Sequence, residues 1–215
     1  MLEAMRKYAP RAKFYNAASS EMFGKVQTVP QNEHTRFYPR SPYAAAKVFG
    51  FEITRNYRES YALFASSGIC FNHESCRRGE NFVTRKIAKG VARIKHGLQP
   101  YLEFGNLDAK RDFSHAKDIV KGQWLILQHR TPEDWVLASG ETRSVREFCQ
   151  LAFEIAGLKD WEQYVKINEA FLRPAEVDLL HGNPAKAETL LGWTREYSFE
   201  DIVADLTTYE LAQLL

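Results

Sequence analysis

The chain alternates between short, wholly apolar runs and longer amphipathic stretches, a pattern typical of an α/β fold. Three short runs predict buried strands, at residues 13–18, 63–71 and 135–139. Between the first two, Ser41 is a suitable helix N-cap and Pro42 suits the first helical turn, so we predict a helix that runs to about Tyr61. Strand, helix and strand in this order form a βαβ unit, which implies a parallel sheet.

Further amphipathic helices are predicted in the second half of the chain. A helix over 82–96 places three apolar side chains on one face, those of Ile87, Val91 and Ile94. Ser144 and Glu147 form a capping box, and the helix that follows carries a buried face made of Val145, Phe148, Cys149, Ala152, Phe153 and Ala156. Ser198 and Asp201 are expected to cap the last helix in a similar way. Four aromatic residues are expected in or beside the core, namely Trp124, Trp135, Trp161 and Trp193.

Two stretches lack this periodicity and are predicted to be loops. Residues 19–40 contain Gly24, Pro30 and Pro39, and long loops of this kind are usually functional. Residues 72–80 are polar and come directly after a predicted strand. Open α/β sheets bind their ligands at this end of their strands, so we expect a site there.

Composition excludes several classes of protein. The chain has 215 residues, of which 45% are hydrophobic and 26% charged, with a net charge of +2, so no strong field draws it to nucleic acid or membrane. No apolar run approaches the roughly 20 residues of a membrane span, and the basic side chains of the 82–96 helix are interpreted as a solvated face. Cys70, Cys76 and Cys149 are too few and too scattered for a disulfide framework or a metal site. We therefore expect a cytoplasmic protein with reduced thiols and no metal.

Tyr43 and Lys47 are the strongest candidates for chemistry. They lie one helical turn apart, so both side chains are on the same face of the predicted helix. A lysine ammonium beside a phenol favours the phenolate, which can take a proton from a sugar hydroxyl while a nicotinamide takes the hydride. Ser19 and Glu21 follow the first predicted strand and add a hydroxyl and a second acid/base. A simple dehydrogenase does not need that carboxylate, so the set suits oxidation, elimination of water and re-reduction in one site.

The Tyr-x-x-x-Lys spacing alone is weak evidence. With ten tyrosines in the chain, about one such match is expected by chance, and the alternative is a packed tyrosine beside a lysine that reaches solvent. A dinucleotide-binding fold should also open with a strand and a glycine-rich turn. The chain shows no such turn, so we expect that it lacks the first mononucleotide-binding half.

Six segments carry a family resemblance, at 18–24, 38–43, 71–75, 77–87, 105–112 and 171–180. On these segments the chain resembles the extended short-chain dehydrogenase/reductase enzymes that act on nucleotide sugars, and among them the GDP-mannose 4,6-dehydratases. The resemblance implies a partial Rossmann-like parallel sheet, the C-terminal part of a doubly wound domain, together with a smaller α/β substrate-binding domain. It assigns 1–71 and 115–140 to the NADP-binding domain. The nucleotide-sugar-binding domain would consist mainly of 72–114 and 141–215.

The resemblance also implies roles in the conversion of GDP-mannose to GDP-4-keto-6-deoxy-mannose, the first step toward GDP-fucose and related deoxysugars. Tyr43 would take the proton of the sugar 4-hydroxyl while NADP⁺ accepts the hydride, and Glu21 would then abstract the C5 proton before water leaves C6. Ser19 would bind the 4-oxygen, and Lys47 would hold the cofactor ribose. The expected cofactor contacts are Tyr43, Lys47, His73 and Arg78. The expected substrate contacts are Asn72, Val83, Lys86, Gly105, Arg111, Arg173 and Glu176.

The sequence departs from the family pattern in places, and alternatives stay open. Ser19 stands where the family usually has threonine, Cys76 stands where it has proline, and the segment 160–171 is shorter than usual. Another nucleotide-sugar epimerase or reductase is one alternative, although neither reaction needs a base for C5. A catalytically inactive fragment or an assembly-only subunit is the other. For the full-length protein the resemblance implies a homodimer or homotetramer.

Overall fold

The computed structural model of the chain describes residues 1–171, 177 and 179–214. Its helices are α1 (Leu2–Tyr8), α2 (Pro42–Tyr61), α3 (Val83–Lys95), α4 (Ala116–Gln128), α5 (Val145–Ile155), α6 (Ala185–Leu191) and α7 (Phe199–Ala212). Its strands are β1 (Phe14–Ser19), β2 (Ala65–Cys70), β3 (Asn72–Glu74), β4 (Leu102–Phe104), β5 (Lys110–Arg111), β6 (Phe113–His115), β7 (Asp134–Leu137), β8 (Arg143–Ser144) and β9 (Val165–Ile167). Short 3₁₀ turns occur at Ser20–Phe23, Trp161–Tyr164 and Glu169–Phe171.

A three-stranded parallel sheet forms the centre of the first half, in the order β1, β2, β7. The three strands predicted from apolar runs are therefore confirmed, with small shifts of their ends. The helix predicted between the first two strands is also confirmed, since α2 begins at Pro42 and ends at Tyr61. Both faces of the sheet are covered, as a parallel sheet requires. Phe51 of α2 packs on one face, and Ile119 and Ile126 of α4 pack on the other.

A second hydrophobic core lies outside the sheet. It is built mainly by α3, α5 and α7, whose apolar faces meet Phe104 of β4 and Phe113 of β6. The predicted buried positions of α3 and α5 all belong to this core. Ser144 and Ser198 each form a complete capping box, at the starts of α5 and α7, so both cap predictions are confirmed.

The prediction for one tryptophan is wrong. Trp135 and Trp193 are fully buried and Trp161 is half-buried, as expected, but Trp124 is 61% exposed. The physical reason is helix geometry. Ile119 and Ile126 hold α4 against the sheet, and Trp124 lies about half a turn from Ile126, so it points away from that face.

The two predicted loops contain regular structure. The polar stretch after β2 begins with β3, which pairs in parallel with β6, and the long loop begins with the 3₁₀ turn Ser20–Phe23. Among the helices that the structure describes, none is both long and apolar enough to cross a membrane. The described side chains also contain no group of three or more His, Cys, Asp and Glu that could hold a metal ion.

Candidate active site

The carboxyl ends of the three parallel strands meet at one edge of the sheet. In the observed register Ser19 lies beside Cys70, and Cys70 lies beside Leu137. At Ser19 the chain turns directly into the 3₁₀ turn, and the Ser19 Oγ caps that turn by accepting a hydrogen bond from the Glu21 amide at 3.3 Å. Ser19 and Glu21 therefore lie at the edge where open α/β sheets place their ligands.

The chain between this turn and α2 returns to its starting point. Gly24 has a φ of +52°, and a side chain at this position would collide with the carbonyl oxygen of Tyr38, so the position requires glycine. The Lys25 amide donates to the Tyr38 oxygen at 2.9 Å, and the Tyr38 amide donates to the Met22 oxygen at 3.2 Å. This closure brings the start of α2 next to the turn that carries Glu21, and the two elements are in contact.

Tyr43 and Lys47 lie in the first two turns of α2. Ser41 caps the helix, because its Oγ accepts a hydrogen bond from the Ala44 amide at 3.0 Å. The Lys47 Nζ donates to the carbonyl oxygen of Ala17 in β1 at 2.9 Å and lies 5.6 Å from the centroid of the Tyr43 ring. Tyr43 is 55% exposed, so its phenol is open to a ligand. The structure thus brings all four candidate catalytic residues to one edge of the sheet, and their roles stay a prediction.

His73 lies in β3, immediately beyond the carboxyl end of β2. Its Nδ1 is 2.8 Å from the Phe71 carbonyl oxygen, which can only accept a hydrogen bond. In the neutral ring Nδ1 therefore carries the hydrogen, and Nε2 is the acceptor. The bond to the backbone fixes the orientation of the ring at this edge.

Arg78 is held by a buried carboxylate that the sequence did not single out. Its Nε lies 3.2 Å from Oε2 of Glu74, and its guanidinium carbon lies 3.6 Å from the centroid of the Phe82 ring. Burial raises the pKa of Glu74, an effect that Arg78 and the hydroxyl of Thr84, which donates to Oε2 at 2.5 Å, oppose. These contacts fix the direction of the guanidinium.

The remaining candidate substrate residues fall into two groups. Asn72 begins β3 and pairs with Phe113, and Arg111 lies in β5 opposite Arg143 of β8. Val83 and Lys86 lie in the first turn of α3, and Gly105 follows directly after β4. There the Lys86 Nζ donates to the Glu103 carbonyl oxygen at 2.5 Å, and burial lowers the pKa of Lys86. The other two candidates, Arg173 and Glu176, lie outside the described residues.

Asp112 links several parts of the site and was not predicted from the sequence. The carboxylate is fully buried and accepts hydrogen bonds from the backbone amides of Ser139 at 2.6 Å, Gly140 at 3.0 Å and Gly182 at 3.2 Å. Burial raises its pKa, and the hydrogen bonds oppose that rise. Asp112 thus ties the segment 179–183 to the turn that follows β7. A single acidic residue that follows Lys110 and Arg111, between two short strands, gave no local signal of this role.

Two surface grooves of the structure are lined by residues other than the candidate catalytic residues. One is lined by residues that include Glu141, Trp193 and Tyr197, and the other by residues that include Arg85, Lys89 and Tyr209. Neither groove is lined by the four candidate catalytic residues.

Comparison with known proteins identifies the family. A sequence profile of the family described as GDP-mannose 4,6 dehydratase matches residues 1–206. The chain belongs to this family. It is 50% identical over 210 residues to the GDP-mannose 4,6 dehydratase of Drosophila melanogaster, an alignment that covers 90% of the chain and 53% of the relative. It is 48% identical over 217 residues to GDP-mannose 4,6 dehydratase 2 of Caenorhabditis elegans, with 94% and 57% covered.

The chain thus spans little more than half the length of these two relatives. Solved structures share its fold. RMD from Pseudomonas aeruginosa, complexed with NADPH, superposes with a TM-score of 0.90 at 24% identity, covering 99% of the chain and 71% of that protein. The dTDP-glucose 4,6-dehydratase of Bacillus anthracis, in complex with NAD, gives a TM-score of 0.85 at 19% identity, with 97% and 64% covered. The family resemblance and the α/β fold class predicted from the sequence are therefore confirmed.

Proposed function

We propose that the protein converts GDP-mannose to GDP-4-keto-6-deoxy-mannose by NADP-dependent internal oxidation, elimination of water and reduction. The observation that carries this proposal is the place of Glu21 at the end of β1, beside the start of the helix that bears Tyr43 and Lys47. A second acid/base at that place is what elimination adds to a dehydrogenase site. The names of the relatives support GDP-mannose as the substrate.

Tyr43 and Lys47 carry the first proton transfer. The exposed phenolate of Tyr43 takes the proton of the sugar 4-hydroxyl, and C4 becomes a ketone as its hydride leaves. The Lys47 ammonium lies 5.6 Å from the ring centroid and places a positive charge beside the phenol. Because the Lys47 ammonium is fixed on the Ala17 carbonyl oxygen of β1, its charge stays beside Tyr43 through the reaction.

Glu21 and Ser19 carry the elimination. The 4-ketone acidifies the proton on C5, and the Glu21 carboxylate abstracts it. The hydroxyl on C6 then leaves as water when it takes up a proton, which the newly formed carboxylic acid of Glu21 can return. This leaves a double bond between C5 and C6, and the product forms when C6 receives the hydride that left C4 and C5 takes a proton from solvent. Ser19, whose hydroxyl is held close to the Glu21 amide, donates a hydrogen bond to the 4-oxygen and stabilises its developing negative charge.

The residues at this edge fit a nicotinamide cofactor. The Lys47 ammonium has three N–H donors, and the bond to Ala17 uses one, so ribose hydroxyls can be bound by the others. His73 offers Nε2 at the same edge, and the guanidinium of Arg78, fixed by Glu74 and Phe82, suits a phosphate. When bound, NADP⁺ supplies the acceptor for the hydride from C4 and the donor that returns it.

The substrate is assigned to residues of both groups. We propose that four residues hold the diphosphate and the ribose, since a guanidinium matches phosphate oxygens. They are Asn72 and Arg111, together with Arg173 and Glu176, which lie outside the described residues. Val83, Lys86 and Gly105 are proposed to bind the nucleoside. The separate core around α3, α5 and α7 supports a distinct nucleotide-sugar domain. The proposed NADP-binding domain consists of 1–71 and 115–140, and the proposed nucleotide-sugar-binding domain mainly of 72–114 and 141–215, as predicted from the sequence. A homodimer or homotetramer in the cytoplasm is also proposed, on the family resemblance alone.

The Glu21→Gln variant tests the proposal. The full-length wild-type protein, supplied with GDP-mannose and NADP⁺, is expected to release a 4-keto-6-deoxy sugar nucleotide, detected by mass spectrometry. The variant is expected to lose that product yet still reduce NADP⁺, because Tyr43 and Lys47 are intact. Glu52→Gln is the matched control, since Glu52 lies on α2 and pairs with Arg55 on the surface, and it is expected to behave as wild type.

Three outcomes would contradict the proposal. Equal loss of both reactions in Glu21→Gln would remove the specific role of Glu21. An epimerised sugar in place of a 4-keto product would assign the chain to a related 4-epimerase. If the full-length wild-type protein carries out neither reaction, the catalytically inactive alternative is favoured.

A further inference from the structure

Cys76 lies in the tight turn that leads to Arg78. The Arg78 amide donates to the Ser75 oxygen at 2.9 Å, which closes a four-residue turn over 75–78. Cys76 is the second residue of this turn, a position that proline favours because its ring fixes φ. Proline is also the residue that the family resemblance places there. The chain therefore lacks that restraint in the turn that carries a proposed cofactor contact.

A hydrogen bond that proline cannot make holds the turn instead. The Cys76 amide donates to Oδ2 of Asp205 in α7 at 2.8 Å. Proline has no N–H, so this bond exists only because residue 76 is not proline. A hydrogen bond to a carboxylate is stronger than one between neutral groups. This bond joins the turn to a helix of the second core.

Asp205 is itself held in position by His115. The His115 Nδ1 accepts a hydrogen bond from the Lys117 amide at 3.1 Å, so in the neutral ring Nε2 carries the hydrogen. That Nε2 lies 3.5 Å from Oδ2 of Asp205. His115 is buried and stacks on the Tyr197 ring, with the ring centroids 4.1 Å apart. The fixed imidazole therefore keeps the Asp205 oxygen where the Cys76 amide can donate to it.

The carbonyl group of Cys76 is held by a separate contact. Nη1 of Arg85 in α3 donates to the Cys76 oxygen, and the same guanidinium forms an ion pair with Glu210 of α7. Both Arg85 and Glu210 are largely buried. This contact needs only the carbonyl oxygen, which proline also has. The Asp205 contact is therefore the one that depends on the cysteine.

We propose that Asp205 is a positioning residue for cofactor binding, which replaces the missing proline by binding the Cys76 amide and so fixes the turn that presents Arg78. The inference rests on the proposed function, because it takes Arg78 as a contact of the cofactor phosphate. The family resemblance assigns Asp205 no role. Without the carboxylate the turn gains freedom that NADP binding must remove, so the affinity for NADP falls.

A double-mutant cycle on Asp205 and Cys76 tests the proposal. The full-length protein, freed of bound nucleotide, is titrated with NADPH, and the fluorescence of the bound cofactor is followed. Asp205→Ala should raise the Kd for NADPH about fivefold. Cys76→Pro alone should stay within about twofold of wild type, because the proline ring fixes the turn. In the Cys76→Pro background, Asp205→Ala should change the Kd by less than about twofold.

Hydrogen exchange measures the turn directly and needs no second substitution. In the nucleotide-free protein, a peptide that covers 75–82 should exchange faster in Asp205→Ala than in wild type, since the Cys76 amide has lost its acceptor. Glu200→Ala is the matched control, because it removes an exposed carboxylate from the same helix. It should leave the exchange and the Kd unchanged. The affinity for GDP should be unchanged in every variant, which separates a loosened turn from damage to the second core.

Four outcomes would overturn the inference while the proposed function stands, because wild type still binds NADPH in each. Asp205→Ala could weaken NADPH binding equally in both backgrounds, or leave the Kd or the exchange of 75–82 as in Glu200→Ala. Cys76→Pro could abolish NADPH binding, which would show that the hydrogen bond does not substitute for the ring. Asp205→Ala could lower the affinity for GDP as much as that for NADPH. A full-length wild-type protein that binds no NADPH would overturn both.

Discussion

Replacing Asp112 with asparagine tests how the parts of the candidate site are held together. Its buried carboxylate accepts one hydrogen bond through Oδ1, from Ser139, and two through Oδ2, from Gly140 and Gly182. Asparagine keeps the shape and one acceptor oxygen, but its amide nitrogen can only donate. Whichever way the amide turns, at least one of the three backbone N–H groups then faces another donor.

The expected loss follows from the number of donors left without an acceptor. A buried donor that loses its partner costs about 1–3 kcal/mol. With one or two such donors in Asp112→Asn, we expect the free energy of unfolding to fall by about 3 kcal/mol. For a chain of this size that loss corresponds to a melting temperature lower by about 6–12 °C.

Urea unfolding followed by circular dichroism measures this loss. The control is Asp108→Asn, the same chemical change at an exposed ion pair with Arg146, which is expected to unfold at the wild-type midpoint. Equal midpoints for Asp112→Asn and Asp108→Asn would refute the reasoning.

Two further changes test the closed loop and the sheet. Gly24→Ala should lower the free energy of unfolding by about 2–4 kcal/mol, because the position has a positive φ and the new methyl group would collide with Tyr38. The control is Gly97→Ala, which has a φ of +67° and open space around it and should lower that free energy by only about 1 kcal/mol. Equal losses for the two variants in urea unfolding would exclude the collision. Asp134→Asn breaks a largely buried, two-fold hydrogen-bonded pair with Arg58 and should cost about 2–3 kcal/mol in the same assay. A wild-type midpoint for Asp134→Asn would show that the pair contributes nothing.

Much of the fold could be predicted because the deciding signals are local. Ser41 and Pro42 mark the start of α2, and the Tyr43–Lys47 pair follows from helical spacing alone. Ser144 with Glu147 forms the predicted capping box for the same reason. The βαβ order then determines that the carboxyl ends of β1 and β2 lie at one edge, so the neighbourhood of Ser19 could be anticipated.

The parts that could not be predicted depend on contacts distant in sequence. The return of the long loop to Gly24 depends on the Tyr38 carbonyl, and apolar periodicity carries no information about it. Trp124 was wrongly predicted to lie in or beside the core. The face of α4 that packs on the sheet is the one that carries Ile119 and Ile126. Asp112 receives its three donors from segments that the sequence separates widely, so no spacing rule applies to it.

The candidate catalytic residues lie beside the sheet core, whereas Lys86, a candidate nucleoside-binding residue, lies on a helix of the second core. This separation has a testable consequence. The turn that carries Glu21 is anchored by Met22 and Phe23 in the sheet core, whereas Lys86 lies on α3, which packs into the second core through Ile87. A change of Glu21 should therefore stop elimination without altering the affinity for GDP.

A change of Lys86, which is proposed to bind the nucleoside, should do the reverse, weakening GDP binding while the turnover of saturated enzyme persists. Asp112 is the exception, because it lies between β5 and β6 and binds the segment 179–183, whose Leu180 enters the sheet core. Since both sets of residues depend on that connection, Asp112→Asn should impair GDP affinity and turnover together. An Asp112→Asn protein that is less stable but unchanged in both would show that the connection only supports the fold.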